Sequence, residues 1–125
     1  MPFILAIDFD GTLFKTDSLE IKEAKRDIID KVKEFKKAGA EIVLWTCREG
    51  TSLEDAVKVC KEGGLEFDAI NENAPSWAEY QKEKSKEGDI FATRKIFANF
   101  YLDDRACNLE FFLQIDARAT CEKHK

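Results

Sequence analysis

The chain has few of the side chains on which many hydrolases depend. It contains one histidine, His124, within a charged segment near the last residue of the 125. Segments of this kind seldom pack into a site, so Ser-His-Asp and Cys-His mechanisms are excluded unless this segment folds back. The phosphate loop GxxxxGK[ST] is absent as well. Carboxylates therefore remain as the groups that could carry out chemistry.

Cysteine is present but not in a pattern that binds metal or forms a disulfide framework. The four cysteines show no CxxC spacing: Cys47, Cys60, Cys107 and Cys121. With no export signal in the sequence, we expect reduced thiols, and neither structural zinc nor disulfides.

Long apolar runs and an excess of positive charge are also missing. No run approaches membrane-spanning length, and the amino terminus lacks the basic segment of a secretory signal. The net charge of -5, with basic and acidic residues interspersed, predicts neither nucleic-acid nor membrane binding. The content of 44% hydrophobic and 36% charged residues is typical of one globular domain, 1–125, which we expect in the cytoplasm.

The most informative stretch is an apolar run, 4–7, that ends in Asp8-Phe9-Asp10-Gly11-Thr12-Leu13. Because an isolated carboxylate is costly to bury, Asp8 and Asp10 should lie where a buried strand ends. Two carboxylates so close repel each other, and a hard divalent cation such as Mg²⁺ offsets that repulsion. The pattern favours a metal-dependent phosphoryl-transfer site over a solvated turn.

Along the rest of the chain, apolar patterns predict strands that alternate with helices. A turn or small flap should occupy 14–18, and an apolar stripe at helical spacing predicts a helix over 20–38. A capping-box pattern, Thr51 with Glu54, predicts a helix that runs to about residue 61. A third helix should begin near Pro75, and the stretch 91–99 is ambiguous. Further strands are predicted at 42–45, 67–70 and 100–102, and one or two last elements at 109–119. This alternation indicates a parallel sheet with right-handed crossovers.

Three predicted strands end in groups that suit phosphate or metal. Because ligands bind beyond the carboxyl ends of parallel strands, we expect these groups at one rim. They are Asp8 and Asp10, Thr46 and Arg48, and Asp103 and Asp104. Asn71 and Asn73 follow the third strand, where hydrogen bonding within a turn is favoured over a role in a site.

The stretch Asp8-Phe9-Asp10-Gly11-Thr12-Leu13 resembles the first signature of the haloacid dehalogenase (HAD) superfamily of phosphohydrolases. The resemblance implies an α/β fold, a Rossmann-like three-layer sandwich with a mostly parallel central sheet. It implies that Asp8 is the nucleophile that forms an aspartyl-phosphate. It also implies that Asp10 protonates the leaving group and later activates water, and that Gly11 and Thr12 lie where the phosphate binds.

Thr46 matches the second HAD signature, a hydrophobic strand that ends in Thr or Ser, whose hydroxyl can donate to a phosphate oxygen. Cys47 and Arg48 beside it are further candidates for substrate binding. Arg48 could pair with a phosphate or carboxylate of the substrate through two hydrogen bonds, or be a surface charge that flanks a helix. A thiol mechanism at Cys47 is disfavoured, because the C-x5-R spacing of cysteine phosphatases would need arginine where Leu53 stands.

Asp103-Asp104 resembles the paired-acid form of the fourth signature. The resemblance assigns both to Mg²⁺, together with Asp8 and Asp10, and Asp103 is favoured as a direct ligand because it follows the apolar strand. Arg105 is interpreted as a salt-bridge partner of these acids.

The third signature is a lysine that pairs with the nucleophile and the phosphate. A cation is needed there because charge accumulates on the transferring phosphoryl group. Lys95 is the choice, although it stands only eight residues before Asp103. The alternatives are Lys82, Lys84 and Lys86.

The spacing between the signatures leaves no room for the cap domain that many HAD enzymes carry, so the chain looks like a small capless member. An open cleft must exclude water through the flap, the substrate or a neighbouring subunit, so the oligomeric state is open and a homo-oligomer is one alternative. We predict a Mg²⁺-dependent phosphatase that acts on a small-molecule or macromolecular phosphomonoester. A receiver domain is disfavoured, because its phosphoacceptor follows the third strand. A non-catalytic binding protein of the same fold is disfavoured because the acidic set is complete.

Overall fold

The computed structural model describes residues 1–88, 93–106 and 109–124. Cys107 and the first two residues of the ambiguous stretch 91–99 lie outside the described residues. The elements follow in the order β1 (Ile4–Ile7), β2 (Phe14–Asp17), β3 (Glu20–Ala24), α1 (Arg26–Lys37), β4 (Glu41–Leu44), α2 (Gly50–Glu62), β5 (Ala69–Ile70), α3 (Pro75–Lys84), β6 (Phe100–Leu102), α4 (Leu109–Gln114) and α5 (Ala117–Lys123).

Four parallel strands form the central sheet in the order β5-β4-β1-β6. The apolar first strand lies inside this sheet, where Ala6 is in register with Val43 of β4 and Tyr101 of β6. All four residues of β1 are fully buried, as expected for a strand covered on both faces. The predicted parallel sheet is confirmed, and the carboxyl ends of its strands share one edge.

Helices cover both faces of the sheet, so the architecture is the predicted three-layer sandwich. Along β1, Leu5 and Ile7 face a core shared with α1, α2, α4 and α5. Ile4 and Ala6 face the opposite core, against which Trp77 of α3 packs. This alternation is the period of two that a strand imposes on its side chains.

The predicted helix over 20–38 is wrong in its first part. Residues 20–24 form β3, which pairs with β2 in an antiparallel hairpin, and α1 begins only at Arg26. The segment 14–18, predicted as a turn or small flap, contains β2 and the first residue of the hairpin turn, Ser18. Ile21 and Ala24 have helical spacing, yet they pack against the main core from a strand. Tertiary contacts of the hairpin therefore override a local pattern that is compatible with a helix.

Two details at the helix ends correct the sequence analysis. The helix α2 starts at Gly50 after Glu49, and no side chain caps it, so the capping box of Thr51 with Glu54 is absent. His124 does fold back, and its ring lies edge-on to Phe3 with 5.5 Å between the centroids. Phe3 directly precedes β1, so His124 lies at the end of the sheet opposite the carboxyl ends. In the three described ranges, no helix combines the length and apolarity needed to cross a bilayer.

Candidate active site

Three carboxylates meet at the carboxyl end of the sheet. Asp8 directly follows β1, and its backbone N–H donates to the carbonyl of Leu102, the last residue of β6, at 3.0 Å. Asp103 and Asp104 come next after Leu102. One carboxylate oxygen of each acid lies within 4.8 Å of those of the other two. Parallel pairing of β1 with β6 thus brings together acids that are far apart in the sequence.

These acids perturb one another. Burial raises the pKa of Asp8 to about 6, and the charge of Asp103 adds to the rise. Burial raises the pKa of Asp104 as well, together with its hydrogen bond to Asp103 and the charge of that residue, against the opposing charges of Arg105 and Lys25. Burial is the main cause of both shifts, and repulsion between the carboxylates, which a cation would relieve, adds to it. A donor set made only of carboxylate oxygens fits a hard divalent cation.

The turn after the first strand packs directly against this cluster. Gly11 has a φ of +78°, and a Cβ at this position would overlap the carboxylate of Asp104. Thr12 is fully buried, and its Oγ1 accepts a hydrogen bond from the backbone N–H of Asp104 at 3.0 Å. The backbone N–H groups of Gly11 and Thr12 donate to the carbonyls of Phe14 and Phe9, at 2.8 and 3.2 Å. The backbone donors of Gly11 and Thr12 are thus occupied within the turn, and the Thr12 hydroxyl holds the backbone of Asp104 while it keeps a hydrogen to donate. That these two residues lie where the phosphate binds stays a prediction from the resemblance.

Asp10 is not part of this group of three acids, and its carboxylate pairs with Arg48. The Nε of Arg48 donates to both carboxylate oxygens of Asp10, at 3.2 and 3.0 Å, and Nη2 donates to Oδ1 at 2.8 Å. The arginine side chain is only 2% exposed, whereas that of Asp10 is 34% exposed. The carboxylate of Asp10 is thus paired with Arg48, and the assignment of Asp10 to the metal stays a prediction from the resemblance. Arg48 is buried, so its interpretation as a surface charge is wrong. Substrate binding by Arg48 stays a prediction.

The loop after β4 is held by side-chain hydrogen bonds. The Oγ1 of Thr46 accepts from the N–H of Arg48 at 3.1 Å, and the Thr46 N–H donates to Oδ1 of Asn71 at 2.8 Å. Asn73 accepts from the N–H of Phe97 at 2.8 Å. Both asparagines therefore connect separate segments of the backbone, 25 and 24 residues apart, and do not hydrogen-bond within a turn as the sequence favoured. Thr46 remains at the rim with a hydroxyl hydrogen still to donate.

The sequence matches the family described as haloacid dehalogenase-like hydrolase over residues 5–121. The chain belongs to the haloacid dehalogenase-like hydrolases. Among solved structures it is similar to a conserved protein coded by a locus of Bacteroides thetaiotaomicron. That likeness has a TM-score of 0.69 and 27% identity, and it covers 100% of this chain and 93% of the other. No curated protein matches the chain.

The described part of this hydrolase contains no cap domain. Between β1 and β4 stand only the hairpin and α1, and between β4 and β6 the described residues contain α2, β5 and α3. The acid-bearing strand is the first of the chain, which also disfavours the receiver domain, whose phosphoacceptor follows the third strand.

Lys95, predicted as the cation of the site, lies on the α3 side of the hydrolase. Its Nζ is 5.7 Å from the ring centroid of Tyr101, and the side chain is exposed. Of the alternatives, Lys84 lies over the ring of Tyr80, and Lys82 is exposed on α3, as is Lys86 beyond its end.

A lysine that the sequence analysis missed reaches the acids instead. The Nζ of Lys25 donates to the carbonyl of Gly11 at 3.0 Å, and its charge acts on Asp104. The wrong helix over 20–38 concealed this residue, because it placed Lys25 within a helix. In fact Lys25 connects β3 to α1, beside the turn that follows β1. No sequence signal marked it, since its proximity to Gly11 depends on the hairpin.

A cavity of about 510 Å³ opens beside Asp10 in this hydrolase. Its walls come from the hairpin, the loop after β4, the start of α2 and the segment after β6. The lining residues are Asp10, Thr16, Ser18, Leu19, Cys47, Arg48, Glu49, Ser52 and Arg105. A larger groove, of about 700 Å³, lies between α1 and α5 and includes none of the acids of the site.

Proposed function

We propose that the protein is a Mg²⁺-dependent phosphomonoesterase that works through an aspartyl-phosphate on Asp8. The observation that carries this proposal is the convergence of Asp8, Asp103 and Asp104, with oxygens within 4.8 Å of one another, at the ligand-binding edge of the sheet. Membership of a hydrolase family supports it. A cytoplasmic location stays a prediction from the sequence.

In the first step, a carboxylate oxygen of Asp8 attacks phosphorus, an O–P bond forms and the bond to the alcohol oxygen breaks. Asp10 gives a proton to the departing oxygen. Bound at the three carboxylates, Mg²⁺ would supply positive charge that offsets the negative charge of the transferring phosphoryl group.

In the second step, Asp10 takes a proton from water as the water oxygen attacks phosphorus. The bond between phosphorus and Asp8 breaks, which releases inorganic phosphate and restores the carboxylate. The surroundings of Asp10 support this role. Burial acts to raise its pKa, but hydrogen bonds from Arg48 and Thr16 and the charge of Arg48 outweigh burial and hold the pKa below its usual value. Asp10 is therefore ionised at neutral pH, as a base must be.

The proton for the first step can come with the substrate. The second pKa of a phosphate monoester is about 6, so under mildly acidic conditions the ester arrives with one proton. The cavity beside Asp10 suits the alcohol part of such an ester, because the departing oxygen must lie next to the residue that protonates it. Thr46, Cys47 and Lys95 stay the proposed contacts of the phosphate, and Lys25 is added to them.

The test is phosphate release from a panel of phosphomonoesters, with Mg²⁺ and with a chelator. We expect turnover that requires the divalent cation and that Asp8→Asn abolishes, while circular dichroism shows an unchanged fold. Asp30→Asn is the matched control, because Asp30 is an exposed acid on α1. Turnover in Asp8→Asn at the wild-type rate, or release that is indifferent to the chelator, contradicts the proposal.

A further inference from the structure

The guanidinium of Arg48 is enclosed by acceptors from three separate segments. Nε and Nη2 bind the Asp10 carboxylate, Nη2 also donates to the carbonyl of Leu19 at 3.0 Å, and Nη1 donates to the carbonyl of Ser52 at 3.1 Å. These bonds use the Nε hydrogen, both hydrogens of Nη2 and one of Nη1. Its Cζ lies 4.9 Å from the ring centroid of Phe9, so the aromatic face covers the guanidinium. An arginine so engaged has little capacity left for a substrate.

The acceptors of Arg48 belong to parts of the molecule that the site needs to keep aligned. Asp10 is in the turn after β1, Leu19 is at the tip of the hairpin, and Ser52 is in the first turn of α2. All three line the cavity of about 510 Å³ that the leaving group would occupy. Thr16 of the hairpin also hydrogen-bonds the Asp10 carboxylate. Hydrogen bonds from the Arg48 guanidinium and from Thr16 therefore connect the Asp10 carboxylate to the hairpin.

We propose that Arg48 is a positioning residue, which holds the Asp10 carboxylate toward the leaving-group cavity and joins that orientation to the tip of the hairpin. The first half of this statement rests on the proposed function, because it assumes that Asp10 transfers a proton. The second half, the link to the hairpin, does not depend on catalysis.

Lysine cannot replace Arg48 in this arrangement. An ammonium keeps the charge but lacks the planar fork that spans both oxygens of Asp10 while it also reaches the carbonyls of Leu19 and Ser52. Arg48→Lys therefore removes the orientation and preserves the charge.

Substrates with different leaving groups distinguish a misplaced Asp10 from a general loss of folding or substrate binding in Arg48→Lys. The alkoxide of a simple alkyl phosphate needs a proton to depart, whereas 4-nitrophenolate departs from 4-nitrophenyl phosphate without one. General acid catalysis contributes about 10²–10⁴-fold, so a misplaced Asp10 should cost the alkyl ester at least about tenfold more in kcat/KM than the aryl ester. The ratio of the two rates in one sample does not depend on how much of the variant is folded.

The link to the hairpin is tested by amide hydrogen exchange in the full chain. In Arg48→Lys we expect exchange across β2 and β3 to rise about tenfold or more, while the buried face of α1 keeps its wild-type protection. Arg118→Lys is the matched control for both measurements, because Arg118 is exposed and pairs with Glu122 on α5, away from the acids.

The two measurements test the two halves of the proposal separately. An equal loss of kcat/KM on both esters means that Arg48 contributes to folding or to substrate binding, and it overturns the positioning role. Unchanged exchange in the hairpin overturns the link. If the wild-type protein with Mg²⁺ hydrolyses neither ester, the proposed function and the proton-transfer half fail together, and the exchange result still decides whether the link exists.

Discussion

The buried hydroxyl of Thr12 accepts a hydrogen bond from the backbone N–H of Asp104 at 3.0 Å, across 92 residues of sequence. Thr12 belongs to the turn after β1, and Asp104 to the pair of acids after β6. The bond therefore ties the backbone of one candidate metal ligand to the turn that follows another, Asp8. Parallel pairing of the two strands brings these segments together, and the side chain of Thr12 then sets how the second acid approaches the first.

Thr12→Val should weaken both the fold and the binding of Mg²⁺. Valine has nearly the shape of threonine but no oxygen, so the N–H of Asp104 loses its acceptor at a cost of about 1–2 kcal/mol. Thr12→Ser keeps the hydroxyl and loses only a methyl group. Urea unfolding gives the stability, and the shift of the melting temperature with added Mg²⁺ gives the binding. Shifts of equal size in the valine and serine variants would show that this bond does not position Asp104.

Gly11→Ala should cost more than the backbone conformation alone explains. At a φ of +78° an L side chain is strained by about 1–2 kcal/mol, and here the new Cβ would also overlap the Asp104 carboxylate. Gly39→Ala is the control, since Gly39 has a φ of +102° and open space around it. We expect Gly11→Ala to lose more stability than Gly39→Ala and, unlike it, to bind Mg²⁺ more weakly. Equal losses in the two variants contradict the close approach to Asp104.

The stability of the metal-free protein should carry a pH dependence that comes from Asp8. Its pKa is raised to about 6 in the folded state, against 3.8 ordinarily, so between these values the folded state binds the proton more tightly than the unfolded state does. Near pH 4, Asp8 is protonated in the folded state and contributes to the free energy of unfolding. That contribution is lost as the pH rises through 6 and Asp8 ionises.

The measurement is the difference in unfolding free energy between Asp8→Asn and wild type, taken from pH 4 to pH 7 with a chelator present. As the pH rises, we expect the free energy of unfolding of Asp8→Asn to increase relative to that of wild type by about 1 kcal/mol. This is less than the full pKa shift implies, because Asp8 is half-exposed and solvent screens its interactions. A difference that is constant with pH would mean that neither burial nor the neighbouring acids raise the pKa of Asp8.

Added Mg²⁺ should stabilise the wild-type protein, because the ion would bind the folded state and offset the repulsion among the three acids. At a concentration one hundred times the dissociation constant, the gain is about 2.7 kcal/mol. Asp103→Asn should remove most of this gain, whereas Asp30→Asn should keep it. Thermal unfolding at several Mg²⁺ concentrations gives the answer. A gain that survives in Asp103→Asn would place the ion elsewhere.

Lys25 and Lys95 are the two candidates for the cation beside the phosphate, and substitution of each shows which one contributes to turnover. Lys25→Met should lower kcat more than Lys95→Met, because Nζ of Lys25 already contacts the turn beside the acids while Lys95 lies over Tyr101. Steady-state rates on one phosphomonoester with saturating Mg²⁺ make the comparison. A larger loss in Lys95→Met would restore the residue that the sequence favoured.

Much of the fold could be predicted because its signals are local. The apolar run before Asp8 and the run before Asp103 each end where a buried strand must end, and both strands were found close to the expected positions. The hairpin could not be predicted, since Ile21 and Ala24 have a spacing that suits a helix as well as a packed strand. The hairpin contacts distant residues, Leu19 with Arg48 and Thr16 with Asp10, and neither contact is visible in a window of sequence.

The sequence by itself determined the four strands of the central sheet, the acidic character of the rim and the residues that supply it, because burying an unpaired carboxylate is too costly to occur within a strand. Only the tertiary structure decided which acids face one another and which faces an arginine. Asp8 and Asp10 are two residues apart, yet one joins Asp103 and Asp104 while the other pairs with Arg48. The direction of a charged side chain depends on the partners that distant segments bring within about 3–4 Å, and those distances exist only in the folded chain.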